Sequence, residues 1–588
     1  MAPLSRLGVI LLFLSSLIAI INGSCSFETP FFPPPTYTRQ SSEVWEAFSQ
    51  IEASLSRLMS NSTDPGMNKS SYSIEVTSSK STLWSTFHTA KDKNLTRPGA
   101  EKVNETSRYR IASITKVFTV LGILQQHAAG NLSLDHTIDR YLPDLNSSHT
   151  PDSILWHDIT LRSLASQLSG IPRDWAQGDL ILDLEDPTAV GLPPVSRDDP
   201  EFADLPRCDS YNDFKPCTAQ DLFRDLEGRP PVFEPNQKGK YSNIAFELLG
   251  LALANVTGQA YEVYVGSSIL QALGMAQTSF SKPDDSVAVL PKDIAWYWDV
   301  DEGVQNPTGG LYCSSSDMSM FLRYVLKDYK NIVDAKLNWL PLPSTIGVGS
   351  YYGMPWETLR TDKILDGGRT VTFFTKGGGL PGYSTMILVV PQYDLGITIF
   401  AAGDTDLLSD LLKMVVERVI EAADKLAGRQ VDERYAGTYT ADPNKLNSSV
   451  TLSYSSTHGL EITNWISNST DMLKVISQGS QLPPTQKFHA QLISTGLHRH
   501  EKTKKGELWR LVVSLEEPAA PSVWDDLCTG DVDTAIYAGK PLNELAFWDK
   551  DEKSGRFYQL ELTAFRVNLT LTDGGGGLRI GHLLGQQL

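Results

Sequence analysis

The sequence predicts an α+β domain over residues 41–428 and an all-β domain over residues 432–588. Three observations carry this. Strand-like runs at Tyr72–Val76 and Leu83–His88 precede a long apolar helical run that begins near Ser113. Strand patterns return around 384–402, and a helical pattern over Leu407–Ala427 is expected to pack on that sheet. After Arg429 the texture changes to short segments: Val450–Tyr454, Leu460–Trp465, Trp509–Leu515, Arg556–Leu562 and Leu569–Leu571. Such spacing suggests an antiparallel barrel or sandwich.

At the N-terminus, Arg6 precedes the apolar run Val9–Leu14, which continues to Ile21 and is followed by the small residues Gly23 and Ser24. This reads as a secretory signal over residues 1–23, giving a secreted, extracellular protein. An uncleaved anchor is the alternative, but the run falls short of the ~20 residues that span a bilayer. No second stretch could cross one, so no stable membrane insertion is expected after cleavage. Residues 24–40 form a proline-rich segment, and Val44–Met59 has helical periodicity. Downstream of this signal-like segment, ten N-x-[ST] sequons begin at Asn61, Asn68, Asn94, Asn104, Asn131, Asn146, Asn255, Asn447, Asn468 and Asn568, which agrees with the same export route. Of the 5 cysteines, Cys208 and Cys217 bracket a short polar loop and are the expected disulfide; pairing of Cys25, Cys313 and Cys528 is not legible.

The chemistry starts at Tyr109-Arg110-Ile111-Ala112-Ser113-Ile114-Thr115-Lys116. Residues i and i+3 share a helix face, so the Lys116 amine lies one turn from the Ser113 hydroxyl. A hydroxyl is a weak nucleophile until its proton is taken, and a lysine in a dry pocket has the lowered pKa to help. The helix N-terminus adds donors for an oxyanion. Spacing alone is weak: Ser279-Phe280-Ser281-Lys282 has it too, and Pro283 disfavours helix there.

Two further motifs raise Ser113 above chance. In Tyr241-Ser242-Asn243, a phenol beside ammonium groups can ionise below its usual value and act as a base, while the Asn243 amide can hold a substrate polar group. A bland alternative makes Tyr241 a core residue and Asn243 a helix N-cap. In Lys376-Gly377-Gly378-Gly379, Gly378 and Gly379 let a substrate approach the strand backbone, whose N–H groups can complete an oxyanion hole. The bland alternative is a glycine-rich hairpin turn.

In this order the three motifs resemble the serine β-lactamase and penicillin-binding-protein family, nearest its class C branch of esterases, D-aminopeptidases and transesterases. Ile159–Pro172 (ITLRSLASQLSGIP), Thr308–Tyr312 with Ser316–Met318, and Tyr352–Trp356 also look like family segments. The resemblance covers roughly residues 40–425. It implies a β-lactamase/transpeptidase-like fold, an antiparallel sheet flanked by helices plus a helical lobe. It makes Ser113 the acylated nucleophile, Lys116 its proton partner, Tyr241 the general base, Asn243 the substrate-orienting amide and Lys376 the source of positive potential. The N–H groups of Ser113 and Gly379 would form the oxyanion hole. Gly377 departs from the usual Thr or Ser, which puts recognition of a substrate carboxylate in doubt, and Gln167 stands where the family often has His. The Ala436-Gly437-Thr438-Tyr439 start resembles the lipocalin-like C-terminal barrel of several members.

Competing chemistries lack residues. There is no G-x-S-x-G, H-E-x-x-H or P-loop. His498 and His500 sit on a polar basic stretch and read as solvent-facing, and Gly574–Gly577 reads as a flexible loop. A net charge of −18 argues against nucleic acid. No metal and no organic cofactor is implied. The irregular region 173–237 is expected to line the pocket, with a decorative insertion as the alternative. The expected partner is a small-molecule ester or amide, with self-association left open. The reading is a secreted serine hydrolase or acyltransferase; a role in fungal secondary metabolism rests only on the number of secreted fungal relatives. A binding protein that kept the fold, and an amidase of the D-aminopeptidase or carboxypeptidase kind, are the competing readings.

Overall fold

The computed structural model of the protein describes residues 32–61, 65–146, 153–176, 179–180, 184, 186–195, 199–200, 208, 215–328, 344–345, 348–366, 368–404, 406–442, 444, 446–479, 487–516 and 535–572. The signal-like segment, Cys25, Cys528 and Gly574–Gly577 lie outside these residues. The chain divides into two compact units. One holds Val44–Thr361 and Thr372–Ile420; the other holds Met1–Glu43, Asp362–Val371 and Glu421–Leu588. No described helix is long and apolar enough to cross a membrane.

The first unit is α+β. Its 8-stranded sheet runs in the order Thr82–His88, Ser71–Thr77, Leu395–Ala402, Tyr383–Val390, Val371–Leu380, Glu357–Thr361, Ser350–Tyr352, Ser344–Thr345. Neighbouring strands pair antiparallel from Thr82–His88 through to Val371–Leu380, and again from Glu357–Thr361 to Ser344–Thr345. Ser71–Thr77 alternates polar and apolar residues, a pattern that usually leaves one face wet. Here every residue of the strand is buried, because the polar face is covered too. Ser315 and Ser319, on the helix Ser315–Asp328, donate to the buried Glu75 carboxylate at 2.6 and 2.9 Å. The alternation therefore marks a satisfied polar layer rather than a solvated face.

The helical part is built around two apolar helices, Thr115–Ala128 and Ile244–Thr257, whose early turns are almost wholly buried. Glycines set how closely these elements approach. A Cβ at Gly122 would lie 2.7 Å from Leu253, and one at Gly250 would lie 2.1 Å from the Pro307 ring. The first contact brings the two long helices together and the second seats the short helix Asn306–Gly309 on Ile244–Thr257; that short helix also packs on Thr115–Ala128, and its carbonyls enter the site described below.

Two helices run beyond the ends that the sequence suggests. The first described helix is Ser42–Asn61, two residues longer at each end than Val44–Met59. The helix beginning at Leu407 continues to Tyr435 rather than stopping at Ala427, and the division between units falls within it.

The second unit contains a closed antiparallel barrel. Strands Gly437–Thr440, Ser449–Ser455, Gly459–Ser467, Phe488–His500, Lys505–Leu515, Glu544–Lys550, Phe557–Leu562 and Val567–Thr572 pair in sequence order. The last pairs back with the first, which removes every exposed edge among these eight strands. Thus barrel, not sandwich, is the outcome of the strand spacing. Alternate residues such as Leu452, Leu492, Leu511, Leu545, Leu560 and Leu569 are buried. An aromatic cluster of Tyr435, Trp509, Phe547 and Phe557 packs with ring centroids 4.9–5.8 Å apart. His498, expected to face solvent, is largely covered, with a side-chain exposure of 20%.

Candidate active site

The two-stranded pairing of Arg108–Arg110 with Tyr312–Ser314 delivers the chain to Ile111. Arg110 is fixed by the buried Glu302 carboxylate and by the Tyr312 hydroxyl, both at 2.6 Å. Ala112 then takes φ 50°, a left-handed conformation that is costly for alanine, immediately before Ser113. A short 3-10 turn over Ala112–Ile114 leads into the Thr115–Ala128 helix. Ser113 is half-buried, whereas Lys116 is fully buried.

Lys116 Nζ donates to Ser113 Oγ at 3.0 Å and to the Thr308 carbonyl at 2.9 Å. Burial pushes the Lys116 pKa below the ordinary lysine value, and the Lys376 charge acts the same way against opposing pulls from Tyr241 and Glu357. Lys116 is therefore poised to exchange a proton with Ser113.

Tyr241 closes the arrangement. Lys116 Nζ lies 5.1 Å, Lys376 Nζ 5.2 Å and the Arg173 guanidinium 4.9 Å from its ring centroid. Burial alone would raise the Tyr241 phenol, but the Lys116 and Lys376 charges overcome it, and its pKa lies below the ordinary value. A phenol surrounded by three cations, with its ionised form favoured, has the character of a base.

Asn243 does not cap the following helix with its side chain. Its Nδ2 donates to Asp174 Oδ1 at 2.5 Å, its N–H donates to the Arg173 carbonyl, and its Oδ1 is buried with no hydrogen-bond partner. The capping role falls to Ser242 Oγ, which accepts from Ala245 N–H at 3.2 Å. Gln167, in a left-handed conformation, accepts the Ser242 N–H on Oε1 at 2.7 Å and the Lys240 N–H on its carbonyl at 2.8 Å. It holds the Tyr241 loop in place.

The third motif lies inside a strand. Val371–Leu380 carries Lys376 and all three following glycines, and the hairpin turns at Pro381-Gly382, where Gly382 has φ 82°. The buried Lys376 donates to Glu357 Oε1 at 2.7 Å and to the Gly377 carbonyl at 2.8 Å. Burial works against its charge, but Glu357 and Tyr241 more than offset this, and the Lys376 pKa is raised. Glu357 Oε2 also accepts the Gly377 N–H at 3.1 Å. A Cβ at Gly378 would lie 2.3 Å from the Ile111 carbonyl oxygen and 2.5 Å from Thr385 Oγ1. Its lack of a side chain lets the strand abut the turn beneath Ser113. A Cβ at Gly379 would meet nothing within 4 Å, and that residue is exposed.

The structure thus brings Ser113, Lys116, Tyr241 and Lys376 into one cluster and ties Asn243 to its wall. Sequence reasoning missed Glu357, Arg173, Asp174 and the Thr308 carbonyl. Glu357 follows directly on the Tyr352–Trp356 segment, the one signal that could have drawn attention to it. The decoy Ser279/Lys282 pair is not assembled: Ser279 Oγ donates to the Ser281 carbonyl, and Lys282 bonds Asp299 at 2.8 Å. Cys208 and Cys217 form a disulfide. Cys313 is buried and free, its thiol pushed up by burial, so it is no nucleophile.

The beta-lactamase family model matches residues 76–414, and a model described as a beta-lactamase-like C-terminal domain matches 427–573. A probable hydrolase, M10, of Phoma sp. is 34% identical over 582 residues, covering 96% of this chain and 94% of that one. The probable hydrolase clz13 of Cochliobolus lunatus is 34% identical, covering 93% and 91%. Among solved structures, a class C beta-lactamase aligns with TM-score 0.47 and 16% identity, covering 66% of this chain and 98% of that one. With a family model over more than half its length and near-full-length hydrolase relatives, the chain belongs to the serine β-lactamase-like family and is a hydrolase of that family.

Proposed function

We propose that the protein cleaves ester or amide bonds of small molecules through an acyl-enzyme on Ser113. The single observation that carries this is the Ser113–Lys116 hydrogen bond beside a phenol whose ionised form two ammonium groups favour. Ser113 Oγ attacks the substrate carbonyl carbon, and its proton passes to the Lys116–Tyr241 pair. The resulting oxyanion is held by the N–H groups of Ser113 and Gly379. Tyr241 returns a proton to the leaving oxygen or nitrogen as the acyl bond breaks. Water, deprotonated by the same pair, then attacks the acyl carbon and releases the acid; an acceptor alcohol in its place would give acyl transfer. Lys376 keeps the potential at Tyr241 positive, and the Asn243–Asp174 contact supports the substrate side of the loop.

Within this reading the substrate lacks a carboxylate next to the scissile bond. Gly377 offers no hydroxyl, its N–H is taken by Glu357, and the Glu357 carboxylate repels a second anion. Two ester series that differ only by such a carboxylate test this. The neutral member should be preferred by at least about tenfold in kcat/KM, a differential of ~1.4 kcal/mol. Ser113→Ala should abolish turnover of both; equal turnover by wild type and variant would place the nucleophile elsewhere, and no turnover by either would favour the binding-protein reading.

We propose also that the protein acts outside the cell as a glycoprotein. Asn104, Asn131, Asn447, Asn468 and Asn568 are exposed, which suits glycan attachment. Asn255 is exposed as well, but its Nδ2 bonds the Tyr141 carbonyl at 2.5 Å, which makes it a poorer acceptor. The fungal origin of both hydrolase relatives supports a part in fungal metabolism without naming a substrate. Mass loss on glycan removal from protein recovered from culture medium tests export and glycosylation together.

A further inference from the structure

On the barrel unit, far in sequence from Ser113, one ligand atom each from His458, Glu461 and His489 lies within 4.8 Å of the others. His458 occupies the turn between the Ser449–Ser455 and Gly459–Ser467 strands, Glu461 lies on the second strand, and His489 lies on the adjacent Phe488–His500 strand. The ladder fixes these backbones. The His458 N–H donates to Ser455 Oγ at 3.0 Å, and its carbonyl accepts from Gln491 Nε2 at 2.6 Å.

The side chains form an unusual set. Glu461 Oε2 is 2.8 Å from His489 Nδ1, and Glu461 Oε1 is 3.6 Å from His458 Nδ1. The imidazoles stack with centroids 3.5 Å apart. His489 Nε2 is buried without a hydrogen-bond partner, and Glu516 Oε1 lies 3.7 Å from it.

We propose that His458, Glu461 and His489 form a site for a divalent transition metal of the zinc class, with Glu516 in reach as a further oxygen donor. Two imidazoles and a carboxylate suit zinc, nickel or copper, whereas magnesium and calcium take oxygen donors. Ligand atoms on one tetrahedral zinc lie about 3.3 Å apart, given bonds of about 2.0–2.1 Å. The set must therefore close by roughly 1–1.5 Å, and the His458 ring must turn out of its stack so that the lone pairs converge. With 35% of its side chain exposed, on a turn held by backbone bonds, it has room to do so. The metal would pin this turn to the neighbouring strand.

The test uses the full chain, stripped with a chelator and titrated with Zn2+ against a chromophoric chelator, with Mg2+ as the control. One equivalent of Zn2+ should bind at micromolar or tighter concentration, with a rise in Tm and no response to Mg2+. His458→Ala, His458→Gln and Glu461→Gln should each weaken binding at least about tenfold, the lower end of what even outer-sphere changes cost. Ser113-dependent ester hydrolysis should be unchanged in all three. His458→Gln keeps the bulk of the turn, so a folding failure in the alanine variant leaves the test intact. No stoichiometric Zn2+ uptake, or uptake equal in wild type, His458→Gln and Glu461→Gln, would overturn the proposal.

Discussion

Replacing Gly378 by alanine probes whether the third strand is seated against the nucleophile turn. The new Cβ would lie 2.3 Å from the Ile111 carbonyl oxygen, 2.5 Å from Thr385 Oγ1 and 3.1 Å from the Ala112 Cβ. An ordinary carbon–oxygen contact needs about 3.4 Å, so strand and turn must part by roughly 1 Å. Neither side yields easily. The oxygen belongs to backbone, and Ala112 already holds a left-handed conformation. The Thr385 Oγ1 bond to the Ile111 carbonyl, at 3.1 Å, would also be lost. Overpacking of this kind costs about 1–3 kcal/mol and the hydrogen bond about 1 more, so Gly378→Ala should lose about 2–4 kcal/mol of stability. Because the displaced turn carries Ser113, a shift of ~1 Å should lower kcat/KM about 100-fold. Gly379→Ala is the matched control: its Cβ meets open space, and stability should stay within about 0.5 kcal/mol of wild type. Thermal unfolding and ester kinetics on the two variants read both quantities. A Gly378→Ala enzyme with wild-type Tm and kcat/KM, or one indistinguishable from Gly379→Ala, would refute the seating.

Other consequences concern charge. Lys376→Met removes one of the two ammonium groups that lower the Tyr241 phenol, so the rising limb of kcat/KM against pH, which reports base ionisation in the free enzyme, should move to higher pH. Glu357→Gln leaves the buried Lys376 ammonium without its carboxylate and should destabilise by about 2–3 kcal/mol in chemical unfolding, less than a fully buried pair because Glu357 is partly exposed. Burial disfavours the Asp299 carboxylate, but Arg97 at 2.6 Å and Lys282 at 2.8 Å hold its pKa below the usual value. Its contribution, about 1 kcal/mol, is complete above the unfolded value near 3.9 and lost as pH falls through the lower folded value. Asp299→Asn should therefore show a shallower fall in Tm with acid below about pH 4, although it starts lower at neutral pH.

The sequence carried the local chemistry well. Ser113 and Lys116 were legible because helical spacing puts them on one face and the Tyr241 and Lys376 motifs follow in an order that matches a family. Barrel strands were legible because period-two alternation survives wherever one face is buried. What stayed hidden is long-range. Glu357 reaches Lys376 only because two strands are neighbours in the sheet, and Asp174 reaches Asn243 across 69 residues. No local pattern encodes either contact. The Gly377–Gly379 run was compatible with a turn because glycine in a strand has no signature of its own. Only the 2.3 Å approach of the Ile111 carbonyl shows that Gly378 is needed in extended backbone. Ser71–Thr77 misled in the other direction, since its polar face is buried against hydroxyls from a distant helix.

The most direct measurement is the intact mass of deglycosylated protein after reaction with a fluorophosphonate, for wild type and Ser113→Ala, with the modified peptide sequenced. One adduct on wild type at Ser113, and none on the variant, is the predicted result. An adduct that persists in Ser113→Ala would place the nucleophile elsewhere, and no adduct on either protein would contradict an activated serine at this site.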